Sequence, residues 1–361
     1  MSFKKKIQYL SKLFVRYIFK LIYGRINYKH KYNSKEIHRS ILHLNKTKNI
    51  ILKIKNARIY TDYVQHLAII HNNNLLDQVS YQLKDSSLLP TKKNTTMEIG
   101  TPRILKKFNG NILSLVNGAS GNDNYFHWLF DILPRLVMLD KINELKNIDY
   151  FYLPELKKFQ IQTLKTFGIN EKQFINSKKF RHVSADQIYA TSHPWHKKGN
   201  ILRQAQNIPN WVFHEITKKL ISHKKQFNCS NKIFIDRRES KFNHCQIIND
   251  NEIKNFLVNK GFSVYRVGEI DLFKQFYLFN NAKIIVGAHG AAFANLIFCK
   301  KNTKVIEFFP KRHPNLVNKK ISLIKNLKYK SLRSNNFNYK YNLNGDILVD
   351  LKKLNKLINW K

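Results

Sequence analysis

Apolar positions in this chain keep two rhythms, and the switch between them divides it. Between Asn49 and Gln82, short β-branched runs at Ile50 to Ile54, Ala57 to Thr61 and Leu67 to Ile70 are separated by turn formers such as Asn72-Asn73-Asn74, which predicts a small β meander. Beyond it strand and helix alternate. A strand at Ile112 to Val116 leads through the loop Asn117-Gly118-Ala119-Ser120-Gly121 to an amphipathic helix from about Asn124 to Leu139. Ile148 to Leu153 with Glu155 to Phe167 makes a second unit, and a helix at Trp211 to Lys224 precedes the strand Lys232 to Asp236. The pattern then becomes regular: helix Asp250 to Lys260, strand Phe262 to Val267, helix Asp271 to Asn280, strand Ile284 to Val286, a glycine turn, and strand Lys304 to Phe309. Such alternation with short connections predicts an α/β fold of parallel sheets covered by helices. A polar stretch at Lys224 to Asn231 sets the expected boundary, giving an N-terminal α/β domain over 31–228 and a C-terminal one over 229–361.

Residues 1–30 stand apart. Phe3, Ile7, Leu10, Phe14, Ile18, Leu21 and Ile22 fall near helical spacing, while Lys12, Arg16 and Lys20 recur every fourth residue on another face. Basic residues interrupt the segment too often for a bilayer crossing, and no small-residue cleavage site follows. Two readings stay open: a helix lying in the interface of an anionic membrane, or a helix packed on the domain.

Composition narrows the class. At 361 residues, 43% hydrophobic and 13% aromatic, the chain is long and apolar enough for two cored domains. Lys and Arg number 64 against 23 Asp and Glu, a formal net charge of +41, so its surface attracts polyanions. The excess is spread along the chain, with no basic stripe interleaved with stacking aromatics and no reading helix, so a nucleic-acid partner is not expected. Cys229, Cys245 and Cys299 are scattered and odd in number, which argues against a disulfide framework or structural zinc and for a reducing cytoplasm. His193-Pro194-Trp195-His196 lacks a further ligand at metal spacing and reads as a surface loop with a proline turn. No metal site is expected.

Two segments carry chemistry. In the first, Ile284-Ile285-Val286 is a buried strand, and Gly287 and Gly290 bracket a turn before the helix-forming Ala291-Ala292. The N–H groups at Gly290 and Ala291 then point outward, where a diphosphate is held without a dedicated side chain, and His289 adds a donor. Glu307, a lone acid among Val305, Ile306, Phe308 and Phe309, suits ribose hydroxyls at the end of the following strand, or else faces solvent on an edge. In the second segment, Asn124 to Leu136, His127 and Asp131 lie four apart on one helix face beside Asn124, Tyr125 and Trp128.

Four pieces together resemble glycosyltransferase family 61: NYFHWLFDILPRL at Asn124 to Leu136, IDRR at Ile235 to Arg238, GAHGAAFAN at Gly287 to Asn295, and VIE at Val305 to Glu307. The resemblance implies a GT-B-like arrangement of two Rossmann-like domains facing across a cleft. It also implies an inverting, metal-independent transfer from a nucleotide-sugar donor, with no other cofactor. A UDP-linked donor and a glycan or lipid-linked glycan acceptor are expected, in capsular or other surface polysaccharide biosynthesis. The enzyme would be cytoplasmic, peripheral at the inner face of the membrane. Asp131 is the expected base, its pKa tuned upward by partial burial beside Trp128, with His127 orienting it or acting as base itself. Asn124, Tyr125 and Trp128 would flank the acceptor. Arg237 and Arg238 would meet the leaving-group charge together with His289, Gly290 and Ala291. The alternative left by the charge is a non-catalytic basic α/β protein that binds anionic polymer or a membrane surface.

Overall fold

The computed structural model describes residues 2–29, 34–63, 65–116, 123–238, 245–314, 316–334 and 345–360. Gly118 and Gly121, in the loop expected ahead of Asn124, lie outside the described residues. The chain is a mixed α/β protein that divides into two compact units, Met1–Gln204 and Ala205–Lys361. This division lies upstream of the expected one because helix Asn210–Leu220 belongs to the second unit. Its Thr217 hydroxyl donates to the Ile297 carbonyl at 3.3 Å, and Trp211, Val212, Phe213, Ile216 and Leu220 are buried.

In the first unit, β-branched and aromatic runs build a six-stranded sheet in the order Phe174–Asn176, Tyr150–Leu153, Asn111–Ser114, Gln187–Thr191, Thr47–Lys55, Ile37–Leu44. The first four strands are parallel, and taken in chain order they lie 3-2-1-4. The last two form an antiparallel hairpin added to the edge of Gln187–Thr191. The expected meander is therefore split. Thr47–Lys55 joins this sheet, and after Asn56, at φ 52°, Ala57–Tyr60 and His66–His71 enter a second sheet of short strands. Alternation of side chains along the strands closes the core. Ile50, Leu52 and Ile54 meet Ile59, Leu67 and Ile69 in one cluster, while Tyr60, Ala68 and Ile70 pack with Ile26 on the opposite face.

The segment expected to be an amphipathic helix departs from that reading in two ways. It runs as a short α-helical turn Tyr125–His127, a wide π turn Trp128–Ile132 and an α-helix Leu133–Lys141. Every residue from Trp128 to Leu139 is buried, so no polar face remains. Pro134 sits in the first turn of the last piece, where its missing N–H costs nothing.

The second unit holds five parallel strands in the order Ser263–Tyr265, Lys232–Ile235, Ile284–Ala288, Lys304–Phe309, Lys328–Arg333, or 2-1-3-4-5 in chain order. Helices Asp250–Asn259 and Leu351–Ile358 cover one face, where Ile253, Leu257 and Leu354 pack on Phe234, Val286, Ile306 and Phe308. The opposite face is so tight at Gly287 that a Cβ there would lie 2.9 Å from Ile235 Cβ and 3.4 Å from the Phe293 ring.

Burial lowers the pKa of His66, His182, His193 and His196 in the first unit, to about 4 for His182 and His193. Between pH 6.5 and about 4 the unfolded chain binds protons at His182 and His193 that the folded chain does not, and His66 and His196 act in the same direction, so stability rises with pH across that window. Melting temperature is expected to fall as pH drops from 6.5 toward 4, with stability lost on the order of 1 kcal/mol per pH unit for each of His182 and His193. A flat melting temperature over that range would contradict the neutral state of these rings.

Candidate functional site

In open α/β sheets, ligands bind outside the carboxyl ends of strands where neighbouring connections run opposite ways. Each unit carries a polar cluster at such a place. In the first, the strands at the reversal are Asn111–Ser114 and Gln187–Thr191; the segment Asn124 to Asp131 follows one, and His193-Pro194-Trp195-His196 follows the other. Asn124 starts the helical stretch by accepting from the Phe126 and His127 amides at 3.0 and 3.4 Å. Asp131 then lies wholly out of solvent, with its Oδ2 2.9 Å from His127 Nδ1 and its Oδ1 accepting from Trp195 Nε1 at 2.8 Å. His193 accepts at Nδ1 from the Trp195 and His196 amides, which leaves its proton on Nε2, 3.6 Å from Asp131 Oδ2. Arg135, buried beneath, donates from Nε to the Asp131 carbonyl at 3.0 Å and lies over the Tyr81 ring.

This geometry reverses the electrostatics expected for Asp131. Burial by itself pushes the carboxyl up, but His127 and His193 outweigh it and hold Asp131 well below the usual carboxylate range. Of the pair, only His127 reaches solvent, its side chain 17% exposed against 0% for Asp131. A carboxylate that fixes the Nδ1 proton leaves the Nε2 lone pair outward, the arrangement of an imidazole ready to take a proton. Trp128, expected beside an acceptor, is instead part of the core and donates from Nε1 to Thr163 Oγ1 at 2.7 Å. Tyr125 is half-buried with its ring edge on Phe159. The His193 to His196 segment is no surface loop: His193, Trp195 and His196 are all buried, and His193 and His196 also line a cavity of about 640 Å³ with Tyr28, Ile50, Tyr81 and Leu89.

The second unit repeats the device. Its reversal falls between Lys232–Ile235 and Ile284–Ala288, and Arg237 and His289 follow directly after these strands. Glu307 is wholly buried and accepts from His289 Nδ1 at 2.6 Å, Asn318 Nδ2 at 2.7 Å and the Tyr329 hydroxyl at 2.7 Å. Both carboxylate oxygens are thereby filled from inside the protein, which corrects the expectation that Glu307 meets ribose hydroxyls or solvent. It sits behind His289 and fixes that ring, which stacks on Phe309. Burial, then the Glu307 charge, pushes the Tyr329 phenol far above its ordinary range, so the phenol stays a donor.

Arg237 donates from Nη1 to the His289 carbonyl, and its guanidinium fills the space where a Gly290 side chain would be: a Cβ there would lie 2.8 Å from Arg237 Cζ. Past Gly290 the chain forms a 3-10 helix, Ala291–Phe298. Arg237, His289, Gly290 and Ala291 thus come together, whereas Arg238 turns away. Arg238 grips Asp236 through Nε at 3.0 Å and Nη2 at 2.9 Å, and Lys254 reaches the same carboxylate at 3.1 Å. Burial opposes ionisation of Asp236, but Arg238 and Lys254 prevail and bring its pKa to about 2. The two arginines therefore do not act as a pair on one anion.

Sequence reasoning missed His193, Trp195, Asn318 and Tyr329. The run Ile188-Tyr189-Ala190-Thr191 before the proline was a usable signal for the first two, since it is a β-rich strand whose exit places them beside Asp131. Among the described residues, no group of three or more His, Cys, Asp or Glu side chains is placed to hold a metal ion. Nor is any of their helices long and apolar enough to cross a membrane.

Each cluster occupies the position where open α/β sheets take their ligands, in a mixed α/β chain. The sequence model of the family Glycosyltransferase 61 matches residues 125–306, about half of the chain, and the match spans His127, Asp131, His193, Trp195, Arg237 and His289. The chain belongs to glycosyltransferase family 61 and is a glycosyltransferase. No curated protein matches it.

Proposed function

We propose that this chain is an inverting, metal-independent glycosyltransferase that moves a sugar from a nucleotide-sugar donor, UDP-linked in the first instance, to a glycan hydroxyl in surface polysaccharide assembly. The observation that carries the reading is the histidine–carboxylate pair of the first unit, with the acid buried and the imidazole facing out. His127 Nε2 takes the proton of the acceptor hydroxyl. The freed oxygen attacks the anomeric carbon from the face opposite the leaving group, and the bond from that carbon to the diphosphate oxygen breaks with its electron pair. Asp131 is a positioning residue in this scheme: it fixes the His127 tautomer and stabilises the imidazolium formed.

The departing charge is met by donors already in place, which is how a site dispenses with a metal. His289, oriented by Glu307, supplies one donor, and the amides at Gly290 and Ala291 and the Arg237 guanidinium complete the set. Arg238 serves through Asp236 as a brace of this corner. The cavity beside His193 and Tyr81 has the size and mixed apolar and hydroxyl lining suited to an acceptor sugar. Asn124 and Tyr125 border the acceptor side. The GT-B-like arrangement of two α/β units across a cleft belongs to the same proposal.

A screen of UDP-, GDP- and CMP-sugars, read as released nucleotide with a glycan acceptor and excess EDTA, tests it. Turnover with at least one donor in EDTA is expected, with inverted linkage in the product by NMR. Strict dependence on added manganese, or a retained anomer, would overturn the mechanism. No released nucleotide with any donor of the panel would overturn the transfer chemistry proposed.

A further inference from the structure

The helix Phe3–Tyr23 is attached to the first unit by one face and one end only. Arg16, Phe19, Lys20 and Tyr23 are its only partly covered residues. Tyr23 makes most of the attachment: its hydroxyl accepts from the Leu105 amide at 3.0 Å, its carbonyl accepts from Arg58 Nη2 at 3.1 Å, and its ring meets the His182 edge at 4.9 Å. Lys20 Nζ adds a bond to the Glu98 carbonyl at 2.6 Å. The face turned the other way is the apolar one. Phe3, Ile7, Leu10, Phe14, Ile18 and Leu21 follow one another at spacings of three and four and are 80, 52, 55, 65, 36 and 68% exposed. No residue of the helix is buried, an arrangement that a water-facing helix does not sustain without a covering partner.

Charge identifies the cover. Lys4, Lys5, Lys6, Lys12, Arg16 and Lys20 are the charged residues of the helix, and it contains no carboxylate. A second copy laid along the same stripe would set cation against cation with no acid to offset them, the reverse of what stabilises paired helices. An anionic lipid surface matches both faces at once: the stripe enters the headgroup–acyl boundary and the lysines meet phosphates alongside. We infer that Phe3–Tyr23 is a membrane-interface helix, held to the first unit at Tyr23 and inserted through Phe3, Ile7, Leu10, Phe14, Ile18 and Leu21. It fixes the enzyme at an anionic bilayer without crossing it. The inference does not depend on the proposed sugar transfer.

Co-sedimentation of the full chain with vesicles of phosphatidylcholine, alone or mixed with phosphatidylglycerol, tests this. The protein is expected to pellet with the anionic vesicles ~10-fold more than with the neutral ones at low salt, and less as salt rises. Leu10→Glu combined with Phe14→Glu should leave the protein in the supernatant with unchanged circular dichroism, since neither side chain has a buried contact to lose. Leu10→Ser with Phe14→Ser serves as a second variant that adds no charge and should also weaken pelleting. Equal pelleting of wild type and both variants would overturn the inference. So would a wild-type dimer in light scattering that the variants lack, since the stripe would then be covered by a second copy.

Discussion

Replacing His127 by glutamine is expected to lower kcat by ~10²–10⁴ while the donor Kd changes by no more than about twofold. Glutamine keeps a polar group of similar reach but cannot take a proton, so it removes the step assigned to Nε2 and little else. The substitution is mild for the fold, because His127 is the partly exposed member of its pair and Asp131 retains the Trp195 indole as a donor. Released nucleotide gives kcat and calorimetry gives the donor Kd. Near-normal turnover would remove His127 as the base and return the role to another group.

The second large effect is expected from Asp131→Asn, which changes one atom in a site that holds two donors. His127 Nδ1 and Trp195 Nε1 both point at the carboxylate, at 2.9 and 2.8 Å, and an amide has a single acceptor oxygen to share between them. If the amide oxygen stays with Trp195, its NH₂ faces His127 and forces the imidazole proton to Nε2, which blocks the lone pair. If it turns the other way, its NH₂ faces the indole N–H, which keeps only the longer bond to the Phe130 carbonyl at 3.2 Å, at a cost of ~1 kcal/mol for the bond lost. The first outcome predicts a loss in kcat of ~10²–10⁴ with the donor Kd preserved. Nitrogen NMR of His127 would show the displaced proton. A full loss of rate with the tautomer unchanged would mean that Asp131 itself takes the proton, with His127 left to orient it.

Much of the second unit was legible in the sequence because three of its strands, Lys232–Ile235, Ile284–Ala288 and Lys304–Phe309, are short apolar runs buried on both faces, in regular alternation with other elements. That Arg237 joins the glycine turn was expected from the resemblance to glycosyltransferase family 61, not from the alternation of strands and helices. What escaped depends on contacts distant in the chain. Glu307 looked available because its partners Asn318 and Tyr329 come 11 and 22 residues later, and no local pattern says that they turn inward. The His193 to His196 segment looked exposed because proline and histidine usually are; its burial comes from Asp131, 64 residues earlier along the chain from Trp195. The strand Ile37–Leu44 escaped because its exposed polar residues mask the alternation, as befits the edge of a sheet. The unit boundary was misplaced because helix Asn210–Leu220 precedes the second sheet in the chain yet packs within that unit, which sequence order alone cannot reveal.

The wide turn at Trp128–Ile132 makes the catalytic geometry sensitive to chain length as well as to residue identity. A π turn holds one residue more than an α-helical turn would at nearly the same total rotation, so a one-codon deletion there restores ordinary winding and leaves the flanking pieces in phase, while the spacing of the side chains within the turn changes. With a residue between them removed, His127 and Asp131 would stand three apart instead of four, and their 2.9 Å contact would have to re-form on a narrower turn. In such a site, a frame-preserving deletion separates folding from chemistry more cleanly than a substitution does.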